Sequence, residues 1–207
     1  MRTMPELPRL RTDITSAVEI VPPYPLDDDD LVALEARYEP LLVERFAGGT
    51  LLVTPPAGGT GSVQSTRLTF EVAQWALATQ CGVSFGANAG FKFPDYALLS
   101  PDATYIRRER WFAIPSEERA RFPVIVPDAV FELLSPSDRL RTTMKKMATY
   151  LRHGVGIAVL IDPLRKRVYA GRAGDAELSD LGDIASLDCS PVMPGFVLDI
   201  AAVVGSG

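Results

Sequence analysis

Histidine and cysteine are almost missing from this chain, and their scarcity removes several chemistries at once. The two cysteines, Cys81 and Cys189, stand far apart with no CxxC or other metal-ligand spacing, so neither a disulfide framework nor a structural zinc site is expected. The single histidine, His153, falls at the end of a predicted helix, where it serves as a cap against the helix dipole rather than as a catalytic base. Positive charge is also short. With 21 Lys and Arg against 26 Asp and Glu, the formal net charge is -5 and the pI near 5.0. No whole-molecule field therefore draws the chain onto nucleic acid or an anionic membrane, and any DNA contact must be local and aided by a metal ion. No run of about 18 apolar residues occurs, and the N-terminal MRTMPELPRLRTDITSAVEI lacks the apolar stretch of a signal peptide. The expectation is a protein without membrane association in a reducing cytoplasm.

What is present suits one core. At 207 residues and 47% hydrophobic content, the chain can bury a single good interior, and a second independent domain is not expected. Residues 1–25 carry Pro5, Pro8, Pro22, Pro23 and Pro25, too many for a helix, and are expected to form an extended arm over the surface or a partner subunit. Residues 26–207 make the domain. Asp27 to Asp30 precede a short helical pattern as solvated N-terminal caps. LLVERFAGGTLLVTPP follows as two strands of a hairpin turning at Gly48-Gly49, with Glu44 in the first. The Gly-rich residues 55–61 lack GxxxxGK[ST] and are expected to be a structural turn. In the helix after them, Val63, Leu68, Val72, Trp75 and Ala76 share one face.

VSFGANAGFKFPDYALLSPDATYI has the Gly- and Pro-interrupted pattern of an antiparallel meander, its last strand opening at Asp102. RRERWFAIPSEERARFP forms charged helical turns whose arginines either face solvent or meet phosphates. Residues 128–134 form a short buried strand. Ser137 or Asp138 caps a helix running to His153, with Met144, Met147, Ala148 and Leu151 as its apolar stripe. GIAVLID is a central strand, so strand, helix and strand make a parallel crossover. MPGFVLDI is the closing edge strand.

Glu132 sits inside the apolar run FELL, and an ionised carboxylate there is costly unless paired, hydrogen-bonded or bound to a cation. Asp102 follows Pro101 at the start of another buried strand. If the two strands are neighbours, both carboxylates meet at one edge, where oxygen ligands suit Mg2+ or Mn2+. Such an ion lowers the pKa of bound water and neutralises charge on a phosphate oxygen. Lys145 and Lys146, midway along the next helix, are the available amines. Lys146 shares a face with Tyr150 at i, i+4 and is the better placed to lean inward.

SPDATYI, FPVIVPDAVFELLSPSDR, KKMATYLRHGV and VLIDP, in that order, resemble the Uma-type family of restriction-endonuclease-like proteins, a branch of the PD-(D/E)XK nuclease superfamily. The likeness runs from about residue 27 to 203. It implies an α/β (mixed α+β) restriction-endonuclease-like core, a central mixed sheet flanked by helices, with a divalent metal; metal-dependent hydrolysis of DNA is the expected activity, and a homodimer is expected because a duplex has two strands to cut and two-fold symmetry is the commonest closed assembly. It further implies Asp102 and Glu132 as metal ligands with the carbonyl of Leu133, Lys146 as the catalytic lysine, and Glu44 as an acidic group acting on metal through water or aiding catalysis. Three departures stand out. Leu134 occupies the position where the superfamily carries its strand lysine, residues 58–61 look one residue short, and Val159 replaces a frequent Trp. They leave an alternative open, a catalytically silent nuclease fold that binds nucleic acid or regulates a partner.

Overall fold

The computed structural model describes residues 8–205. In chain order its elements are β1 (Val18–Ile20), α1 (Asp28–Tyr38), β2 (Leu42–Arg45), β3 (Leu51–Thr54), α2 (Gly59–Thr79), β4 (Gly82–Gly86), β5 (Phe91–Lys92), β6 (Leu98–Leu99) and β7 (Ala103–Arg107). Then follow α3 (Arg108–Phe112), α4 (Ser116–Arg119), β8 (Ala129–Leu133), α5 (Leu140–Arg152), β9 (Ile157–Asp162), β10 (Arg167–Arg172), β11 (Ser179–Gly182), β12 (Ser186–Asp188), β13 (Val197–Asp199) and α6 (Ile200–Val204). The hairpin β2–β3 turns where expected, with Gly49 at φ +82°, a conformation that favours glycine.

Six strands in the order β11-β10-β9-β8-β7-β4 build the central mixed sheet, with β8 and β9 parallel and the other neighbours antiparallel. Alternation decides what each face carries. Ala129, Phe131 and Leu133 of β8, with Ile157, Val159 and Ile161 of β9, pack in one cluster with Leu68, Val72 and Ala76 of α2. Val130, Ala158 and Leu160 pack with Met147, Tyr150 and Leu151 of α5 on the other side. Glu132 shares the α5 face with Val130 by that two-residue period. A second sheet, β1-β3-β2-β6-β5, buries Val43, Leu51 and Val53 against Leu31 and Leu34 of α1. Its other face, bearing Glu19 and Glu44, reaches α5, where Glu19 takes Lys145 Nζ at 2.8 Å and Thr142 Oγ1 at 3.0 Å. The chain passes from this sheet to the central one between Leu99 of β6 and Ala103 of β7, so residues 100–102 lie at the seam.

Several local expectations change. Residues 1–7 of the proposed arm lie outside the described residues. The rest is tied to its own chain: β1 pairs with β3, Leu10 is buried, and Ala17 N donates to Ser137 O. Asp27 caps α1 in a reciprocal box with Asp30, but Asp30 is buried, and Asp28 binds Arg45 at 2.7 Å and also Lys92, so these are not simply solvated caps. The helix α2 starts at Gly59, absorbing the end of the Gly-rich turn, and Val63 lies on its exposed face rather than with Leu68 and Val72. The meander divides, because β4 joins β7 in the central sheet whereas β5 and β6 belong to the other. The helix α5 begins at Leu140, not at Ser137 or Asp138, because Asp138 Oδ2 instead accepts from Ser135 N at 2.7 Å and closes a turn before it. The segment MPGFVLDI ends in β13, which pairs only with β12, leaving β11 as the edge of the central sheet.

Candidate active site

The register of β7 against β8 pairs Ala103 with Phe131, so one further step sets Asp102 opposite Glu132. There the ladder changes character: Asp102 Oδ2, not a main-chain carbonyl, accepts the N–H of Leu133 at 2.7 Å. From the second sheet Glu44 approaches the same seam and its Oε1 accepts Ser100 N at 2.6 Å. Lys146 enters from α5, with Nζ 2.8 Å from Glu132 Oε1, 2.9 Å from Glu44 Oε1 and 2.9 Å from Ser100 O. Tyr150, one turn further on, donates to Glu132 Oε1 at 2.8 Å. Asp102, Glu132, Lys146 and Glu44, four residues singled out in the sequence, are therefore brought to one place, beside Leu133. They line a cavity of about 360 Å3 together with Asn88 and Asp138.

The electrostatics follow from burial. Glu44, Glu132 and Lys146 are at most 6% exposed, and three carboxylates face one ammonium. Desolvation drives the Asp102 carboxyl up to about 6 against the attraction of Lys146 and the Leu133 N–H. Desolvation likewise raises Glu132, with the charges of Asp102 and Glu44 adding to it and Lys146 opposing. Burial works to neutralise Lys146, but Glu132 and Glu44 outweigh it and hold the amine charged. An ammonium has three donors, and the protein uses all of them.

The protein's own donors engage one oxygen of each carboxylate. Glu132 Oε2, Glu44 Oε2 and Asp102 Oδ1 accept no hydrogen bond among the described residues. A divalent cation fits this donor set, which is oxygen-only, short of positive charge and open to the cavity. Among the described residues, no group of three or more His, Cys, Asp or Glu side chains is arranged to hold an ion by itself.

Leu134, where a strand lysine would stand, is buried in the α5-side core, and the amine arrives from the helix instead. Lys145 is turned outward to Glu19. Arg108 and Arg110 of α3 lie at the far end of β7 from Asp102, and Arg110, with Arg107 at the end of β7, is held by the buried Asp128, at 2.8 and 2.9 Å respectively. His153 is the C-cap of α5 through its backbone N–H, and its ring stands over Phe93. Two participants were not named as such from sequence. Tyr150 had a signal in its spacing from Lys146, whereas Ser100 acts through its main chain, which no side-chain pattern reports.

A mixed sheet between two helices, with an acidic pair at the edge of adjacent strands and a lysine beside it, defines the restriction-endonuclease-like class. The solved structure of a protein from Anabaena variabilis described as "a putative nuclease belonging to DUF820" superposes with a TM-score of 0.67 at 22% identity, over 79% of this chain and 89% of that one. The profile described as Uma2, "Putative restriction endonuclease", matches residues 28–201, and the chain belongs to that family. No curated protein matches.

Proposed function

We propose that the protein is a Mg2+- or Mn2+-dependent endonuclease that hydrolyses DNA phosphodiester bonds. One observation carries this: three carboxylates, two of them buried, share a solvent-connected cavity with a single ammonium, leaving negative charge that a divalent cation complements. Asp102 and Glu132 would hold the ion, the Leu133 carbonyl would join them, and Glu44 would act on it through water. The ion supplies charge neutralisation at a phosphate oxygen and a more acidic water.

The chain's own groups prepare that chemistry. Lys146 and Tyr150 fix Glu132 through one oxygen and leave the other toward the cavity. The Leu133 N–H does the same for Asp102, and Ser100 N with Lys146 for Glu44. Such orientation of ligands by outer donors is what sustains affinity in metal sites. Lys146, released from one of its three acceptors, presents an N–H to a phosphate oxygen. A groove of about 1490 Å3 shares Pro40, Pro55, Gly61 and Ser135 with the cavity and offers a path for a polymer leading away from the site. Cutting both strands of a duplex is served by two sites, so a homodimer is the working form this reading expects.

Incubation of supercoiled plasmid with the purified protein and Mg2+ or Mn2+ tests the assignment. Nicking or linearisation is expected, and Asp102→Ala or Glu132→Ala should abolish it while circular dichroism stays unchanged. Full cleavage by either variant refutes it. The full engagement of Lys146 favours one other function, a silent nuclease fold that binds nucleic acid or regulates a partner. Calorimetric titration with Mn2+ separates the two, since a silent site takes up no stoichiometric ion.

A further inference from the structure

At the end of the central sheet opposite Asp102 and Glu132 lies a second cavity, of about 910 Å3, that the candidate site does not use. Strand β7 enters it with Tyr105 and Arg107, α3 with Arg108 and Arg110, and the turn before β8 with Asp128. Pro191 and Val192 give it an apolar wall. The five residues of β7 set it roughly 17 Å from the carboxylates of the candidate site.

Concavity alone selects no ligand, but the chemistry of this lining does. Three guanidiniums meet two carboxylates here, a local excess of positive charge in a chain whose net charge is -5. One of the carboxylates is fully engaged. Asp128, which is buried, accepts Arg107 N and Nε at 2.9 Å each and takes Arg110 Nη1 at 2.8 Å. It thereby orients Arg107 by one edge, while both terminal nitrogens of that guanidinium donate to nothing among the described residues. Glu109, the other carboxylate, is exposed and lies 3.8 Å from Arg107 Nε, too far for a hydrogen bond. Arg108 makes no ion pair or hydrogen bond among the described residues, and its guanidinium stands 5.0 Å from the centroid of the Phe112 ring.

Tyr105 adds an independent sign of a ligand. It is 1% exposed, with its ring against Trp75 at 5.1 Å, yet its hydroxyl has no hydrogen-bond partner among the described residues. Buried phenols usually find one. Burial pushes this phenol up to about 12, so at neutral pH it stays protonated and able to donate.

We propose that this cavity is a second binding site, taking a small phosphomonoester with an apolar or aromatic body, its phosphate held by Arg107, Arg108 and the Tyr105 hydroxyl. Three donor groups match the three acceptor oxygens of a phosphomonoester, where a carboxylate offers two. Guanidiniums fixed by a buried carboxylate are the side chains suited to that geometry. Pro191 and Val192 flank the body. The site depends on neither the metal nor the endonuclease assignment, and either can fail alone.

Isothermal titration calorimetry of the full chain without divalent metal tests it, with phenyl phosphate, inorganic phosphate and benzoate as probes. Phenyl phosphate is expected to bind saturably and one to one, inorganic phosphate more weakly for want of the body, and benzoate more weakly for want of the third oxygen. Tyr105→Phe and Arg108→Gln, which leave the Asp128 ion pairs intact, should each weaken phenyl phosphate by about tenfold or more, the effect of losing one hydrogen bond to a charged group. Thymidine 5′-monophosphate should bind more tightly than glucose 6-phosphate, whose body is polar. Four results overturn the proposal: no saturable binding of phenyl phosphate, benzoate binding as tightly, the sugar phosphate binding more tightly than the nucleotide, or unchanged affinity in both variants. Unchanged circular dichroism of Arg108→Gln, whose side chain is exposed, separates loss of the site from loss of fold.

Discussion

Lys146 is held by Glu132, Glu44 and Ser100 at once, and its removal leaves two buried carboxylates facing each other with no cation. Breaking a buried ion pair by deleting one partner costs about 3–5 kcal/mol, because the remaining charge stays desolvated. Lys146→Met should therefore destabilise the metal-free protein by about that amount in urea unfolding at pH 7. Adding Glu132→Gln should recover part of the loss, since it removes one of the stranded charges. Equal stability of Lys146→Met and wild type would mean that the ammonium is not the counter-charge of this cluster. How far such a residue was legible depends on where its constraint originates. Glu132 was visible because a carboxylate inside FELL violates the hydrophobic pattern, and Lys146 because its spacing from Tyr150 puts both on one helical face. Asp102 was visible only through its neighbours, since Pro-Asp by itself is common. Ser100 was not visible at all, because its N–H and carbonyl are groups that every residue owns.

At the scale of elements, pattern and punctuation gave the strands and helices, while their ends were set by contacts the pattern does not contain. The helix α5 illustrates this. Ser137 and Asp138 are good capping types, yet Asp138 spends its carboxylate on Ser135 N, and the helix opens two residues later without a side-chain cap. Strand pairing across sheets was equally hidden: β4 to β7 were legible as strands, but only tertiary packing sends β5 and β6 to a different sheet. The other end of α5 is anchored to the turn before β6. Asp95 receives Arg152 Nη2 at 3.0 Å and lies 2.7 Å from His153 Nε2. Burial works to raise the Asp95 carboxyl, but His153, the Ala97 N–H and Arg152 outweigh it and hold it below the usual range. A depressed carboxylate contributes stability that is present above its unfolded value, about 3.9, and is lost as pH falls through the lower folded value. Asp95→Asn should accordingly lower the urea midpoint at pH 7, and the difference from wild type should close as pH drops below about 4. A difference independent of pH would assign the effect to packing rather than to charge.

For the molecule as a whole, the candidate site is also a joint. Glu44 belongs to the first sheet, Glu132 to the central one, Lys146 to the helix between them, and Asp102 to the crossing segment. The residues that the resemblance picks out are thus the ones through which two sheets share a buried polar contact, and without a divalent ion that contact is short of positive charge. An ion bound by Asp102 and Glu132 would bind the folded chain and not the unfolded one, in which these side chains, 30 positions apart, do not converge. Linkage then requires stabilisation by about 2.7 kcal/mol at a concentration a hundredfold above the dissociation constant. For a domain of this size each kcal/mol moves the midpoint by about 2–4 °C, so Mn2+ should raise the thermal midpoint by roughly 5–11 °C, and removal by a chelator should reverse it. Asp102→Ala should abolish the shift. So should Glu132→Ala, although it leaves Lys146 bound to Glu44 and the joint partly intact. If Mn2+ raised the midpoint of both variants as much as that of wild type, the ion would be acting elsewhere on the surface, and the two carboxylates would be a structural contact between sheets.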